Sequence, residues 1–348
     1  MKTKIIMLAT SPSYHGGIAS VLRMYQNSIL WDEYDIKWIS TSIDKNLFLK
    51  ILYVINALIV FSFHLHKVKI VHMHYSSPIS AKRKCIFAYI AKLSGKRLIS
   101  HIHYGNQLMT VDKKYYSYLF DKSDVIIVLS NTIKKLLIER FSISAEKIKV
   151  IYNPAPMDVA WNGENTSVRL KQILFIGTIC ANKGYDTLLK AFSLVSNKYP
   201  EWRIIFAGVG ELSKAKETAQ NLRISDKVSF IGWADKQKKY HLLNTSSFLC
   251  SASYAEGFPM AIIEAWSFNL PVICTPVGGV VDVIIDGENS LLFEPGDYTE
   301  LAQQIERFIV DDHFRESVSK EGHKLIESHF SLDIIASQIS NIYKRFNL

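Results

Sequence analysis

Ser251-Ala252-Ser253-Tyr254-Ala255-Glu256-Gly257-Phe258-Pro259-Met260-Ala261-Ile262-Ile263-Glu264-Ala265 is the stretch from which the rest of this chain can be read. A short apolar run, 247–250, ends just before it and reads as a buried strand. Pro259 stands where the first turn of a helix accepts proline. The helix then runs over 260–268, until Asn269, Leu270 and Pro271 end it. Glu256 therefore belongs to a strand-to-helix loop and Glu264 to the helix. In that setting the free amides of Phe258, Met260 and Ala261 point toward an anion. The neighbours of Glu264 (Ile262, Ile263, Ala265 and Trp266) are apolar, so a lone carboxylate among them asks for a ligand. The plain alternative is a surface position of the helix.

Outward from this stretch, short apolar runs alternate with longer amphipathic segments. In the first half the runs are 5–9, 36–39, 70–74, 98–101, 125–129 and 148–151. They are short and β-branched, as buried parallel strands are, and helical segments such as 79–93 and 131–140 separate them. The pattern stops near Asn153-Pro154-Ala155-Pro156, and a polar stretch over 162–167 reads as an interdomain linker. It restarts with strands at 172–176, 203–207, 228–231, 247–250 and 272–274, and three helical stretches follow Asp297. Repeated alternation predicts an α/β fold of two doubly wound, Rossmann-like domains, 1–155 and 168–330, facing a central cleft. Ligands of such sheets bind beyond the carboxyl ends of the strands, which is where Glu256 falls.

Composition agrees with this. A chain of 348 residues favours two domains, and 48% hydrophobic against 21% charged residues supplies cores and argues against disorder. Cys85, Cys180, Cys250 and Cys274 are scattered, without CxxC or a histidine at ligand spacing, so zinc and disulfides are not expected and a reducing cytoplasm is. The first nine residues imitate a signal peptide, but the apolar run is too short and Ser11-Pro12-Ser13 follows at once, so they read as a first strand. The apolar stretch 47–63 contains Lys50 and Asn56 and reads as a helix packed on a sheet, with an interfacial helix touching a bilayer as the alternative. Charge is uneven: residues 1–155 hold 22 Lys and Arg against 9 Asp and Glu, a net +13, while the remainder holds 19 against 23, a net −4. The first half is thus expected to face something anionic. Without a helix-turn-helix, zinc-finger or RRM signature, nucleic acid is not expected. An anionic membrane surface or a lipid-phosphate acceptor fits better, and a solvated basic face is the plain alternative.

Three further motifs sit at strand ends. Ser13-Tyr14-His15-Gly16-Gly17-Ile18-Ala19 follows the first strand, and its glycines let backbone approach a ligand at a helix start. Ser100-His101-Ile102-His103-Tyr104-Gly105 places two histidines on one side of a strand. Phe175-Ile176-Gly177-Thr178-Ile179-Cys180-Ala181-Asn182-Lys183-Gly184 closes a strand of the second half. Each has a bland reading: a turn, a structural histidine, a solvated lysine.

Together these motifs resemble glycosyltransferase family 4, the retaining nucleotide-sugar transferases of GT-B fold. The family's Glu, seven residues, Glu is matched by Glu256 and Glu264. Its later signals are matched by Pro271-Val272, Gly278-Gly279 and Asp286-Gly287-Glu288-Asn289. The resemblance spans nearly the whole chain and is strongest over 173–297. It implies that Glu264 accepts hydrogen bonds from the ribose and Glu256 holds the transferred sugar, jobs that suit a charged acceptor. It implies that Gly16 and Gly17 approach the donor diphosphate or sugar, and that a histidine, His103 rather than His101, lies near the reacting centre. His72 and His74 resemble the family's D-x-x-H-x-H strand end and read as structural. Gly177, Thr178, Lys183, Phe258, Pro259 and Met260 complete the implied donor contacts, with Lys183 neutralising the leaving diphosphate. Where the family has arginine this chain has Thr178, which weakens charge stabilisation unless another basic residue substitutes. Residues 331–348 resemble the helix that crosses back onto the first domain.

Without Asp-x-Asp at a strand end or a cluster of oxygen ligands, neither a metal nor another cofactor is expected, and charge falls to Lys183, helix N-termini and loop amides. The expected activity is retaining transfer of a sugar, from a UDP-sugar by preference, to a saccharide or lipid-linked acceptor in bacterial surface polysaccharide synthesis. The setting is cytoplasmic or peripheral on the inner face of the membrane. The competing readings are a nucleotide-sugar epimerase or glycan phosphorylase of similar architecture, and a non-catalytic subunit, which Thr178 alone favours.

Overall fold

The β-branched runs become strands for the reason their composition gives: the central ones are covered on both faces and leave their polar backbone to their neighbours, while the edge runs 35–40 and 228–230 are only partly covered. In this computed structural model, which describes residues 2–13, 16–43, 46–103, 106–156 and 169–346, the chain divides into two compact units. One comprises Met1–Pro154 together with Phe330–Leu348, the other Ala155–His329. The expected linker at 162–167 lies outside the described residues.

The first unit runs β1 (Lys4–Ala9), α1 (Gly17–Tyr25), α2 (Ile29–Glu33), β2 (Asp35–Ser40), α3 (Leu47–Leu65), β3 (Ile70–Tyr75), α4 (Pro78–Leu93), β4 (Arg97–Ile102), α5 (Lys113–Lys122), β5 (Val125–Val128), α6 (Asn131–Phe141) and β6 (Ile148–Val150). Its sheet is parallel throughout, in the order β2-β1-β3-β4-β5-β6, with Ile5 in register with Ile36 on one side and Ile70 on the other. The second unit runs β7 (Leu170–Ile176), α7 (Tyr185–Val195), β8 (Arg203–Ala207), α8 (Leu212–Asn221), β9 (Val228–Phe230), α9 (Lys236–Thr245), β10 (Ser246–Ser251), α10 (Met260–Ser267), β11 (Val272–Cys274), β12 (Leu291–Leu292), α11 (Tyr298–Val310) and α12 (Asp312–Leu325). Its sheet is also parallel, in the order β12-β11-β10-β7-β8-β9. Helix α13 (Leu332–Arg345) then returns to the first unit.

Helix starts are fixed locally. Ser77, Ser130, Asp235 and Ser331 each accept a backbone N–H three residues on, and Pro78 opens α4. Helix α13 is held against the first unit by polar contacts as well as apolar ones. The Tyr34 hydroxyl meets Ser340 Oγ at 2.9 Å, Ser340 Oγ donates to Glu33 Oε2 at 2.8 Å, and the Tyr34 and Tyr343 rings meet edge to face at 5.1 Å. In each sheet the strand order reverses beside the first strand. Those two reversals, between β1 and β3 and between β7 and β10, are where open α/β sheets part their loops for a ligand.

Candidate functional site

In the second unit, the loops after β7 and β10 leave the sheet on either side of the strand-order reversal. The first carries Gly177, the exposed Thr178 and, in a single turn before α7, Lys183. The second carries Ser253 and Glu256 before α10. Side chain and backbone join them: Asn182 Nδ2 donates to the Ala255 carbonyl at 2.9 Å, and the Tyr254 N–H donates to the Asn182 carbonyl at 2.8 Å. Across the gap the Lys183 ammonium is ion-paired with the Glu256 carboxylate, which also accepts from Ser253 Oγ at 2.7 Å. Close approach here rests on two glycines. Gly184 has φ +64°, and a Cβ there would stand 2.0 Å from the Ala252 carbonyl oxygen. Gly278 has φ +77°, and its Cβ would stand 2.7 Å from the Cβ of Glu256. The Gly279 N–H donates to the Gly257 carbonyl at 2.9 Å, so the glycine pair braces the loop of Glu256.

Glu264 lies one turn into α10, largely enclosed, and is not alone: Lys239 of α9 pairs with its Oε1 at 2.5 Å. In the sequence, Lys239 sits in a run, Lys236-Gln237-Lys238-Lys239, that reads as a solvated helix face. No local signal sets it apart, because the enclosure is made by α9 and α10 together. Pro259 also differs from expectation. It is the N-cap of α10, with φ −74° and ψ 90°, and stands one residue before the helix. As it has no side-chain acceptor to offer, it leaves the first turn uncapped, with Phe258 buried before it and Met260 half-buried after it. Asn289 and Asp286 do structural work: Asn289 Oδ1 accepts from the Ile285 N–H at 3.0 Å and Asp286 Oδ1 from the Leu292 N–H at 2.8 Å.

In the first unit, Gly16 is the N-cap of α1 in extended backbone and Gly17 its first residue. Among the described residues, a Cβ on Gly17 would meet nothing within 4 Å, so their packing does not require the glycine. Tyr14, His15, Tyr104 and Gly105 lie outside the described residues. The ends of β3 and β4 bring four imidazoles together. His74 Nδ1 and His103 Nε2 share a hydrogen bond of 2.9 Å, and the rings of His101 and His103 stack at 4.5 Å. His72 Nδ1 meets the Tyr343 hydroxyl of α13 at 2.6 Å. His72, His74 and His101 are buried, while His103 alone of the four reaches the surface. Burial lowers all four: His72 and His103 to about 3, and His74 and His101 well below the ordinary imidazole value, with the neighbouring rings adding to the effect on His72, His74 and His101. The stack is therefore neutral at physiological pH.

The ring nitrogens of His72, His74 and His101 lie within 4.8 Å of one another, close enough to raise the question of a metal. An imidazole lone pair lies in the plane of its ring. These rings lie within 10° to 32° of parallel, so they are stacked face to face rather than splayed around one centre. Among the described residues, His72 Nδ1 and His74 Nδ1 find partners, while His72 Nε2, His74 Nε2 and both nitrogens of His101 are buried without one.

Two family models match the chain, one described as Glycosyltransferase Family 4 over residues 41–159 and one as Glycosyl transferases group 1 over residues 162–325. An uncharacterized glycosyltransferase of Haemophilus influenzae is 28% identical over 229 residues, 65% of this chain and 62% of the relative. The capsular polysaccharide biosynthesis glycosyltransferase CapM of Staphylococcus aureus is 26% identical over 172 residues, 49% of this chain and 45% of the relative. The chain thus matches less than two thirds of the length of either. Among solved structures, HepE of Anabaena in complex with UDP is similar with a TM-score of 0.78 at 17% identity, covering 99% of this chain and 100% of that one. That is a likeness of fold, and it shows the GT-B architecture of two Rossmann-like units. With both halves matched by glycosyltransferase models and both sheets wound as in that fold, the chain belongs to glycosyltransferase family 4.

Proposed function

We propose that the protein is a retaining glycosyltransferase. It moves a sugar from a nucleotide-sugar, a UDP-sugar by preference, to a saccharide or lipid-linked acceptor in the assembly of a bacterial surface polysaccharide. The observation that carries this reading is the pair of lysine–carboxylate contacts in the second unit, Lys183 with Glu256 and Lys239 with Glu264. Each puts an acceptor for sugar hydroxyls beside a cation for phosphate. CapM supports the polysaccharide setting, and HepE, solved with UDP and with UDP-glucose, supports the donor class. The four unpaired cysteines support a cytoplasmic setting.

In this reading Glu264 takes the ribose hydroxyls and Glu256 those of the transferred sugar, as charged acceptors of neutral donors. Lys183 turns from Glu256 to the diphosphate. Lys239 supplies the second positive charge where Thr178 stands in place of arginine. The bond from the anomeric carbon to the phosphate oxygen breaks, and the acceptor oxygen bonds to that carbon on the same face. The acceptor's proton passes to the departing phosphate, so no side chain serves as nucleophile. Charge develops on that phosphate, opposite Lys183, and no divalent ion is called on. His103, neutral and held by His74, is a hydrogen-bonding partner rather than a cation.

A thermal-shift panel of UDP, GDP, ADP and their sugars tests the donor, because a ligand of the folded state raises its apparent stability. UDP is expected to stabilise the wild type. Glu264→Ala should weaken that binding about 10- to 100-fold, the size of a hydrogen bond to a charged group; unchanged UDP affinity in this variant would sink the assignment. Slow hydrolysis of the nucleotide-sugar, insensitive to chelator and lost in Glu256→Ala, separates the enzyme from a non-catalytic subunit.

A further inference from the structure

We propose that the outer face of α3 and α4 in the first unit is a docking surface for an anionic lipid bilayer, on which α3 lies flat. The proposal rests on this surface alone and is independent of the donor chemistry.

Helix α3 carries two apolar stripes. One, Ala57, Phe61 and Leu65, is buried against the sheet. The other, Phe48, Leu52, Ile55, Ile59 and Phe63, recurs at three- and four-residue spacing and faces solvent, with Phe48 69%, Ile59 65% and Phe63 66% exposed. The expected helix packed on a sheet is therefore present but half-used: of the window Phe48–Leu65, only 17% is buried. Helix α4 lies beside it, joined through the Phe61 and Phe87 rings at 5.2 Å, and repeats the arrangement. Its outer positions Ile79, Lys82, Ile86, Tyr89 and Leu93 follow the same spacing, with Ile79 76% and Leu93 71% exposed. Scattered apolar residues on a surface need no account, but an exposed apolar stripe on each of two neighbouring helices is of the kind that marks an interaction site.

Charge selects the occupant. From Lys45 to Val111 the chain has no Asp or Glu and ten Lys and Arg. Lys92 and Arg97 are held by Asp124, at 2.9 and 3.0 Å, but Lys67 stands 5.6 Å from the Phe63 ring at the end of the outer stripe of α3, and the exposed Lys82 interrupts the stripe of α4. An apolar face in a basic frame is complementary to acyl chains beneath anionic headgroups. A second copy of the same face would bring like charges together.

Topology selects the orientation. At 19 residues α3 is about 28 Å long, close to the thickness of a hydrocarbon core. Yet it joins β2 to β3, and both of those strands are hydrogen-bonded to β1. A single crossing would put neighbours of one strand on opposite sides of the membrane. The helix therefore lies in the interface, its inner stripe on the sheet and its outer stripe among the lipids.

Vesicle flotation of the full chain tests this, with phosphatidylcholine alone and with phosphatidylcholine containing one part in three phosphatidylglycerol. The protein is expected to float with the anionic vesicles. The Ile55→Ser/Ile59→Ser/Phe63→Ser variant should lose at least about tenfold in partitioning, and Lys67→Glu/Lys82→Glu about tenfold on anionic vesicles. Unchanged thermal unfolding of the triple variant, whose altered positions are exposed, shows that the loss is not misfolding. Absence of flotation, or flotation indifferent to both variants, overturns the proposal. So does a wild-type dimer in sedimentation that the triple variant dissolves, since the face would then belong to a second copy.

Discussion

At the residue scale, a carboxylate is defined by what shares its enclosure. Glu256 and Glu264 were both legible as site candidates, because a strand end and an apolar helix gave each a place. Their lysines were legible unequally. Lys183 stands in a motif, but that its ammonium rests on Glu256 depends on β7 and β10 being neighbours, although 73 residues separate the two side chains. Lys239 stands in no motif at all. The histidines show the same division. Alternation placed His101 and His103 on one side of a strand, yet only the parallel register that sets His74 opposite His101 assembles the stack. That stack sets a pH dependence. Each imidazole titrates near 6.5 when unfolded and lower when folded, His72 and His103 at about 3. Between those values the unfolded chain binds protons that the folded chain does not, so stability falls as pH drops through the window, by up to about 1.4 kcal/mol per pH unit for each histidine. Urea unfolding at pH 7 and pH 5 measures the slope, and His101→Leu is expected to make it shallower; equal slopes would mean that the stack already titrates when folded.

At the element scale, strands were read most reliably because a strand buried on both faces is a continuous apolar run wherever it lies. β12 escaped because Leu291–Leu292 is too short to carry a pattern and pairs only through β11. Helix α3 was read correctly as a helix, but its composition could not say how much of it the sheet covers. Loop shape was the least visible. Gly184 looks in sequence like any helix-entry glycine, while in the fold it is pinned by a positive φ and by the Ala252 carbonyl. Gly184→Ala is expected to cost the second unit about 1–3 kcal/mol, the scale of strained backbone, and to shift the loop that carries Lys183. Donor turnover should fall with it. Stability within about 0.5 kcal/mol of wild type in urea would show that the loop relaxes without strain.

At the scale of the whole molecule, the first unit is built from both ends of the chain. Helix α13 supplies Tyr343 to His72 and Ser340 to Tyr34, so the last segment is part of the first unit's core. Removal of 331–348 is expected to expose Tyr25, Tyr34 and the histidine stack, and to leave the first unit susceptible to limited proteolysis. A protease-resistant first unit in the truncated chain would show that α13 is dispensable. Charge also divides at this scale, with net +13 over 1–155 and net −4 beyond.

By itself the sequence determined the alternation of strands and helices, the loops that hold Glu256 and Lys183, and the basic character of the first half, since each is a local property of residue type and spacing. Only the tertiary structure decided which charge faces which carboxylate, that His103 is the histidine at the surface, and that the outer stripe of α3 is left bare. The reason is one of neighbourhood: enclosure is a property of elements distant in the chain, and nothing in a residue's own surroundings in sequence says what will be packed against it.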